Sequence, residues 1–311
     1  MSEKSEYTRF IRSEALRLGF FDIGFSEAGL LDNEKTRLGE WLNNGFHSSM
    51  SYMENHFEKR LDPSVLVPGA RSVVSLLYNY YTQKELAGYK ISRYAYGKDY
   101  HKVIKKKLKT LFEMIKIKIP GVEGRYFVDS APVLERSWAR KSGLGWIGKS
   151  SMLINKKAGT FFFLSELVLN IELEYNNLQV TDHCGKCRKC IESCPTNAIN
   201  ENGYIIDAGK CISYLTIENK NPIPQHFKDK MNNYVFGCDI CQLVCPWNKF
   251  AIEHEELAFV PGMELMSMNN NSWHDLTENK FNLLFEGSAV KRTKYAGLLR
   301  NIRFLNNKQN P

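Results

Sequence analysis

All eight cysteines of this chain fall between Cys184 and Cys245. The first four, Cys184, Cys187, Cys190 and Cys194, are followed at once by Pro195, a C-x2-C-x2-C-x3-C-P run. That is the pattern of bacterial ferredoxins with two 4Fe-4S clusters, in which the cysteine before proline ligates the other cluster. The second set is Cys211, Cys238, Cys241 and Cys245, followed by Pro246. Two residues between cysteines let a tight loop aim successive sulfurs at one cluster. The rule then assigns Cys184, Cys187, Cys190 and Cys245 to one cluster, and Cys194, Cys211, Cys238 and Cys241 to the other. Such crossing predicts that folding and cluster loading are coupled. Structural zinc also uses C-x2-C pairs, but rarely three cysteines two apart ahead of Cys-Pro. A disulfide framework fits less well, because no secretory leader is legible.

At 311 residues there is room for one large or two medium domains, each with its own core. The 42 Lys and Arg against 34 Asp and Glu leave a net charge of +8. That leans toward an anionic partner, although a solvated basic surface would look the same. Residues 1–14 are polar and charged, without the apolar core of a signal peptide or a twin-arginine pair. The most apolar stretch, Phe161 to Leu173, is interrupted by Ser165, Glu166, Asn170 and Glu172 and is too short to cross a bilayer. The expectation is a soluble, monomeric, cytoplasmic protein, in surroundings reducing enough for oxygen-sensitive clusters.

Periodicity predicts a mixed α+β fold. Helices are expected from Glu6 to Leu18, after Asp32 as N-cap, and from Asp99 onward. In the last, Tyr100, Ile104, Leu108, Leu111 and Phe112 share a face opposite Lys102, Lys105, Lys106 and Lys109. Strands are expected over Phe21–Phe25, Ser72–Tyr81, Arg125–Asp129 and Phe161–Leu173. Pro132 suits the first turn of a helix through Lys141, which makes Asp129 either a helix cap or a functional carboxylate. The GLGWIGK run at 143–149 has neither Walker spacing nor Gly-x-Gly-x-x-Gly, so nucleotide binding is rejected. Its glycines either make a turn or let backbone approach something large and flat. Ser272–Phe285 and Ser288–Phe304 read as two helices. The second carries Lys291, Arg292, Lys294, Arg300 and Arg303, with Lys308 just beyond, and is the best residue-level pointer to RNA. The expected division is 1–177, 178–250 and 251–311.

Several stretches converge: ISRYA at 91–95 with GKDYH at 97–101, VDSAPVLER at 128–136 leading into GLGWIGK, CISYLTIE at 211–218, and GCDICQLVCPWN at 237–248. Together they resemble the epoxyqueuosine reductase family over nearly the whole chain. The resemblance implies a cobalamin- and iron–sulfur-dependent enzyme that reduces epoxyqueuosine to queuosine at the wobble position of tRNA. It implies a nitroreductase-like α+β domain binding cobalamin, a ferredoxin-like domain with two 4Fe-4S clusters, and a short helical region that abbreviates a HEAT-like one. Longer relatives continue past this C-terminus.

By motif match, Asp129 corresponds to the family's proton donor, and Arg60, Ser92, Asp129, Leu153, Leu164, Ser213, Cys238 and Asp239 to cobalamin contacts. Glu135 and Arg136 correspond to positions that meet tRNA, to which the basic C-terminal helix adds Lys291, Arg292 and Lys294. The implied partners are the anticodon stem-loop of an epoxyqueuosine-bearing tRNA and an external electron donor. The family binds cobalamin without a histidine ligand. The D-x-H-x-x-G motif is accordingly absent, with Ile104 where glycine would follow Asp99 and His101. Electrons are expected to reach cobalamin through the clusters while Asp129 protonates the opening epoxide oxygen. A carboxylic acid that donates near neutral pH needs burial or a nearby negative group.

Two other readings share parts of this pattern. A reductive dehalogenase pairs the same cofactors but usually carries a twin-arginine leader. A pure electron carrier or cobalamin-handling protein would not need about 175 residues ahead of the clusters.

Overall fold

The computed structural model describes residues 2–176 and 180–306. The expected boundary at 177/178 and Lys308 lie outside the described residues. Strands β1 (Asp22–Glu27), β2 (Ser72–Asn79), β3 (Gly124–Phe127) and β4 (Phe162–Leu169) form one sheet in the order β1-β2-β4-β3. Every neighbouring pair is antiparallel. The central strands β2 and β4 are covered on both faces, which is why they read as apolar runs and not as alternation. Helices Glu3–Arg17 and Tyr100–Lys118 cover one face, setting Ile11, Ile104, Leu108 and Leu111 against Val74, Leu76 and Leu167. Helix Glu135–Lys141 covers the other, where Trp138 packs with Val73, Phe127 and Val168.

Beyond the sheet, the cysteine segment is built from single turns. Two short strands, Lys90–Ile91 and Tyr234–Phe236, pair in parallel and tie it back to the N-terminal half. Residues from the C-terminal helices, Trp273, Phe281, Phe285, Leu298 and Ile302, share one hydrophobic cluster with Ile91 and Phe236. Arg300 is part of this joint. It donates to the carbonyls of Leu215 (3.0 Å), Asn219 (2.7 Å) and Asn221 (2.8 Å), so its charge serves packing. Among the described residues, no helix is long and apolar enough to cross a membrane.

Several boundaries differ from the sequence reading. Asp32 is the first residue of helix Asp32–Asn43, and Leu31 precedes it without a side-chain cap. Ser272–Phe285 is two helices, Asn270–His274 and Glu278–Leu284, because Thr277 restarts the chain by accepting from the Lys280 N–H. Ser288–Phe304 is a 3-10 turn, Ala289–Thr293, followed by helix Lys294–Asn306. Lys294 has φ 60°, which no continuous right-handed helix contains. β4 stops at Leu169 and β3 at Phe127, and the following helix starts at Glu135, not near Pro132.

Candidate active site and cluster-binding thiols

Asp129 lies two residues past β3, at φ 44°. The helix it was expected to cap begins six residues later, with Leu134 at its N-cap, so the capping reading falls. Instead, Oδ2 of Asp129 accepts a short hydrogen bond from the Tyr100 hydroxyl, and His101 Nε2 stands 3.8 Å away. The Asp129 N–H donates to Glu135 Oε1 at 2.6 Å. Tyr100 is fixed by its ring, stacked on Phe163 at 4.1 Å and 7°. The Asp129 side chain is 62% exposed, so an incoming molecule can reach it.

Behind Asp129 sits an unusual carboxyl. Glu166 is fully buried in the middle of β4, opposite Ser75 and Phe127, on the sheet face that helix Glu135–Lys141 covers. Among the described residues neither of its oxygens has a partner in good hydrogen-bond geometry, and the one polar group within reach is the Glu135 carboxyl. Burial, followed by the carboxylates of Glu135 and Asp129, raises it well above the ordinary carboxylate range. Burial and Asp129 likewise push Glu135 up to about 8. Glu135 and Glu166, raised together, therefore hold protons at neutral pH.

The remaining site residues fall into three groups. Tyr52, 44% exposed, lies within electrostatic range of Glu218, Arg292, Asp129 and Arg60, residues that come from the sheet domain, the cysteine segment and the C-terminal turn. Arg292 is bonded to Glu218 at 2.6 Å, which holds its guanidinium above its ordinary value. Arg136 is exposed and donates to the Ser151 carbonyl. Arg60, Ser92 and Asp239 are buried and occupied. Arg60 donates to the carbonyls of Tyr52 (2.7 Å) and Asn55 (3.2 Å), shaping that loop. Ser92 donates to Oδ1 of Asp239, and the Arg93 N–H to its Oδ2 at 2.8 Å. Leu153 is core, whereas Leu164 is the one half-buried position inside β4, and Ser213 is half-buried. Lys291 turns aside to Asn282 and the Phe281 ring, and Lys294 points to solvent.

Sequence reading missed the roles of Tyr100, His101, Tyr52 and Glu218. Tyr100 and His101 stood in the quoted GKDYH stretch, but only the fold brings them to Asp129. Glu166 did carry a signal, a charge inside an otherwise apolar strand.

The eight thiols are free and half-buried, and they gather in two groups. Cys184, Cys187, Cys190 and Cys245 line one cavity of about 480 Å³. Cys241 is raised by burial and then by Cys238, Cys211 and Cys194. Their surroundings fit clusters, whose thiolates accept N–H bonds. The Ala198 N–H points at Cys194 Sγ (3.3 Å), and N–H groups of Ser213 and Tyr214 act on Cys211. Among the described residues Trp146 Nε1 is buried without a partner in good hydrogen-bond geometry, and it lies by the Cys184 thiol. The GLGWIGK glycines serve close approach: a Cβ on Gly148 would lie 3.2 Å from Cys184 Sγ, and one on Gly145 would lie 2.2 Å from the Ile154 carbonyl oxygen. Lys149 of the same loop donates to the carbonyls of Gly185 (2.6 Å) and Cys187 (3.0 Å).

Comparison with known proteins agrees with this geometry. Residues 183–248 match the model of a 4Fe-4S double cluster binding domain, so the chain carries such a domain. Residues 60–130 match the model described as epoxyqueuosine reductase QueG, DUF1730. An epoxyqueuosine reductase of Cellulophaga algicola is 53% identical over 98% of this chain and 100% of its own length. A crystal structure of an epoxyqueuosine reductase with an epoxyqueuosine-modified tRNA-Tyr stem loop superposes with TM-score 0.90 at 29% identity, covering 96% of this chain and 80% of that one. A catabolic reductive dehalogenase shares 16% identity at TM-score 0.52, covering 79% of this chain and 32% of that chain, a likeness of fold alone. The chain belongs to the epoxyqueuosine reductase family.

Proposed function

We propose that this chain reduces the epoxide of epoxyqueuosine in tRNA to the alkene of queuosine, with cobalamin and two 4Fe-4S clusters as cofactors. The observation that carries the reading is Asp129, solvent-open and held by Tyr100, in a chain of this family with two groups of four thiols. Two electrons and two protons convert an epoxide to an alkene and water. When bound, cobalamin supplies the low-potential metal centre that passes electrons to the substrate carbon.

The chain's own residues then have distinct tasks. Asp129 gives its proton to the departing oxygen, and Tyr100 orients the carboxyl. Glu135 and Glu166, kept up by burial, hold protons behind it. Arg60, Ser92, Leu153, Leu164, Ser213, Cys238 and Asp239 would hold cobalamin. Leu164 offers apolar surface, Ser213 a hydroxyl, and the buried Ser92–Asp239 pair a rigid wall beside Cys238. Cys184, Cys187, Cys190 and Cys245 ligate one cluster, and Cys194, Cys211, Cys238 and Cys241 the other. Glu135, Arg136, Arg292, Lys291 and Lys294 meet the tRNA, with Glu135 bonded to the Asp129 backbone and Arg292 within electrostatic range of the reacting carboxyl. In this reading 1–177 is the nitroreductase-like, cobalamin-binding unit, 178–250 the ferredoxin-like unit and 251–311 the helical RNA-contacting region.

The test is anaerobic, cluster-reconstituted protein with cobalamin and a chemical reductant, offered epoxyqueuosine-bearing tRNA, with nucleoside analysis. Queuosine that appears only with cobalamin and reductant together supports the reading; unchanged epoxyqueuosine with both clusters loaded sinks it.

A further inference from the structure

The chain must be refilled with electrons, and its two groups of thiols are not equally accessible. The Cys241 group is packed against more protein: Cys238 and Cys211 lie against the core cluster of Ile212, Tyr214 and Phe227, and Asp239 beside Cys238 is 1% exposed. The Cys184 group lies at the surface, in the cavity that Lys149, Lys156, Lys249, Trp247 and Phe250 also line. A second cavity, about 530 Å³, shares Cys245, Pro246 and Lys249 and adds Lys189 and Leu243.

The charge around this mouth is predominantly positive. Lys156, Lys186, Lys189 and Lys249 are exposed, and among the described residues none forms an ion pair. The nearby carboxylates are outnumbered, and each has a hydrogen-bond or ion-pair partner of its own. Asp182 accepts from the Cys184 N–H (2.6 Å) and the Tyr204 hydroxyl (2.5 Å), Glu192 pairs with Arg188 (3.5 Å), and Glu253 accepts from the Gln83 N–H (2.8 Å). Beside the lysines, apolar surface stands open: Leu243 and Phe250, which line the two cavities, are each 43% exposed, and Ile252, two residues further along the chain, is 62% exposed. An apolar centre with a rim of one sign is the anatomy of a steered protein–protein contact.

We propose that this face docks a small acidic protein that carries single electrons, of flavin or iron–sulfur type. The proposal rests on the reductase reading above and adds where its electrons enter. In each encounter one electron leaves the reduced carrier and lowers the oxidation level of the Cys184-side cluster by one. No bond forms or breaks and no proton moves, and two encounters supply one epoxide reduction. The lysines raise the encounter rate, and Leu243, Phe250 and Ile252 seat the carrier over the thiols. RNA would use the same lysines but has no need of the apolar patch beside them.

The test uses the cluster-loaded protein, with reduced flavodoxin as the acidic carrier and reduced methyl viologen as a small cationic reductant. Stopped-flow loss of visible cluster absorbance gives both rates. The combined variant Lys156→Glu, Lys186→Glu, Lys189→Glu, Lys249→Glu should slow flavodoxin by about 10–100-fold. It should not slow methyl viologen, and the wild-type flavodoxin rate should fall steeply with salt. Lys→Gln at the same four positions should give a smaller loss. Equal flavodoxin rates in wild type and variant overturn the docking face, and so does a loss of tRNA affinity in its place. Either result leaves the reductase reading standing if methyl viologen still drives queuosine formation. Absence of queuosine with methyl viologen and loaded clusters overturns that reading instead.

Discussion

Tyr100 donates its phenolic hydrogen to Asp129, joining the first turn of helix Tyr100–Lys118 to a residue held at φ 44°. Aspartate tolerates that left-handed conformation better than most residues, and the stacked Tyr100–Phe163 pair fixes where its carboxyl points. If Asp129 is the acid, Asp129→Asn should lower turnover by about 10²–10⁴-fold, with iron and cobalamin content unchanged. Tyr100→Phe removes only the orienting bond and should cost about tenfold in kcat with little change in KM. Near wild-type turnover by Asp129→Asn would falsify the assignment.

Glu166 makes a separate prediction, about stability. Its folded-state value is raised by burial, so the folded chain binds more protons than the unfolded chain once pH passes the unfolded value of about 4.3. Stability from this group is therefore fully present below that pH and is lost as pH rises; Glu135, raised to about 8, acts in the same direction. Glu166→Gln removes the ionisation. Its melting temperature should match wild type near pH 4.5 and exceed it by about 2–6 °C at pH 8. A difference that does not depend on pH would mean that Glu166 is held by partners other than solvent exclusion.

How much of this was legible beforehand follows from the range of the interactions. The two cysteine sets are local spacings, so the sequence carried them directly, and the apolar runs of β2 and β4 marked the sheet centre. What could not be read was anything set by a turn between elements. The Asp129–Ser130 pair ahead of Pro132 looks like a helix start, and only the positive φ at Asp129 shows that the chain turns away first. Arg300 read as one more basic residue on an RNA-facing helix, yet three backbone carbonyls from 215–221 enclose it. Side chains that bond to distant backbone leave no trace in periodicity.

That distinction ranks the basic residues of the C-terminal region. Arg292, exposed and paired with Glu218, lies within electrostatic range of Tyr52 and Asp129, whereas Lys291 is turned to Asn282 and the Phe281 ring. Arg292→Gln should weaken binding of an epoxyqueuosine-bearing anticodon stem-loop and reduce the slope of log affinity against log salt by about 0.7. Lys291→Gln should change the slope by much less. Filter binding across a salt series reads both, and a larger effect from Lys291 than from Arg292 would reverse the ranking.

Gly148 lies close against the Cys184 thiol, and it is a place where a single methyl group should tell. A Cβ there would lie 2.4 Å from Ile154 Cδ1 and 3.2 Å from Cys184 Sγ. The isoleucine methyl end can rotate away, but the sulfur cannot move far while it ligates iron at fixed length. Gly148→Ala should therefore fold, and should lose the Cys184-side cluster preferentially. Iron should fall from about eight to about four per chain under mild chelation, while wild type keeps both clusters. Gly145→Ala is harsher, because its Cβ would meet the Ile154 backbone oxygen at 2.2 Å and open the Trp146–Ile147 pairing with Leu153–Ile154. Iron analysis with electron paramagnetic resonance of the reduced protein separates the two variants. Full retention of both clusters by Gly148→Ala would show that the loop does not press on the cluster and that the glycine serves only the turn.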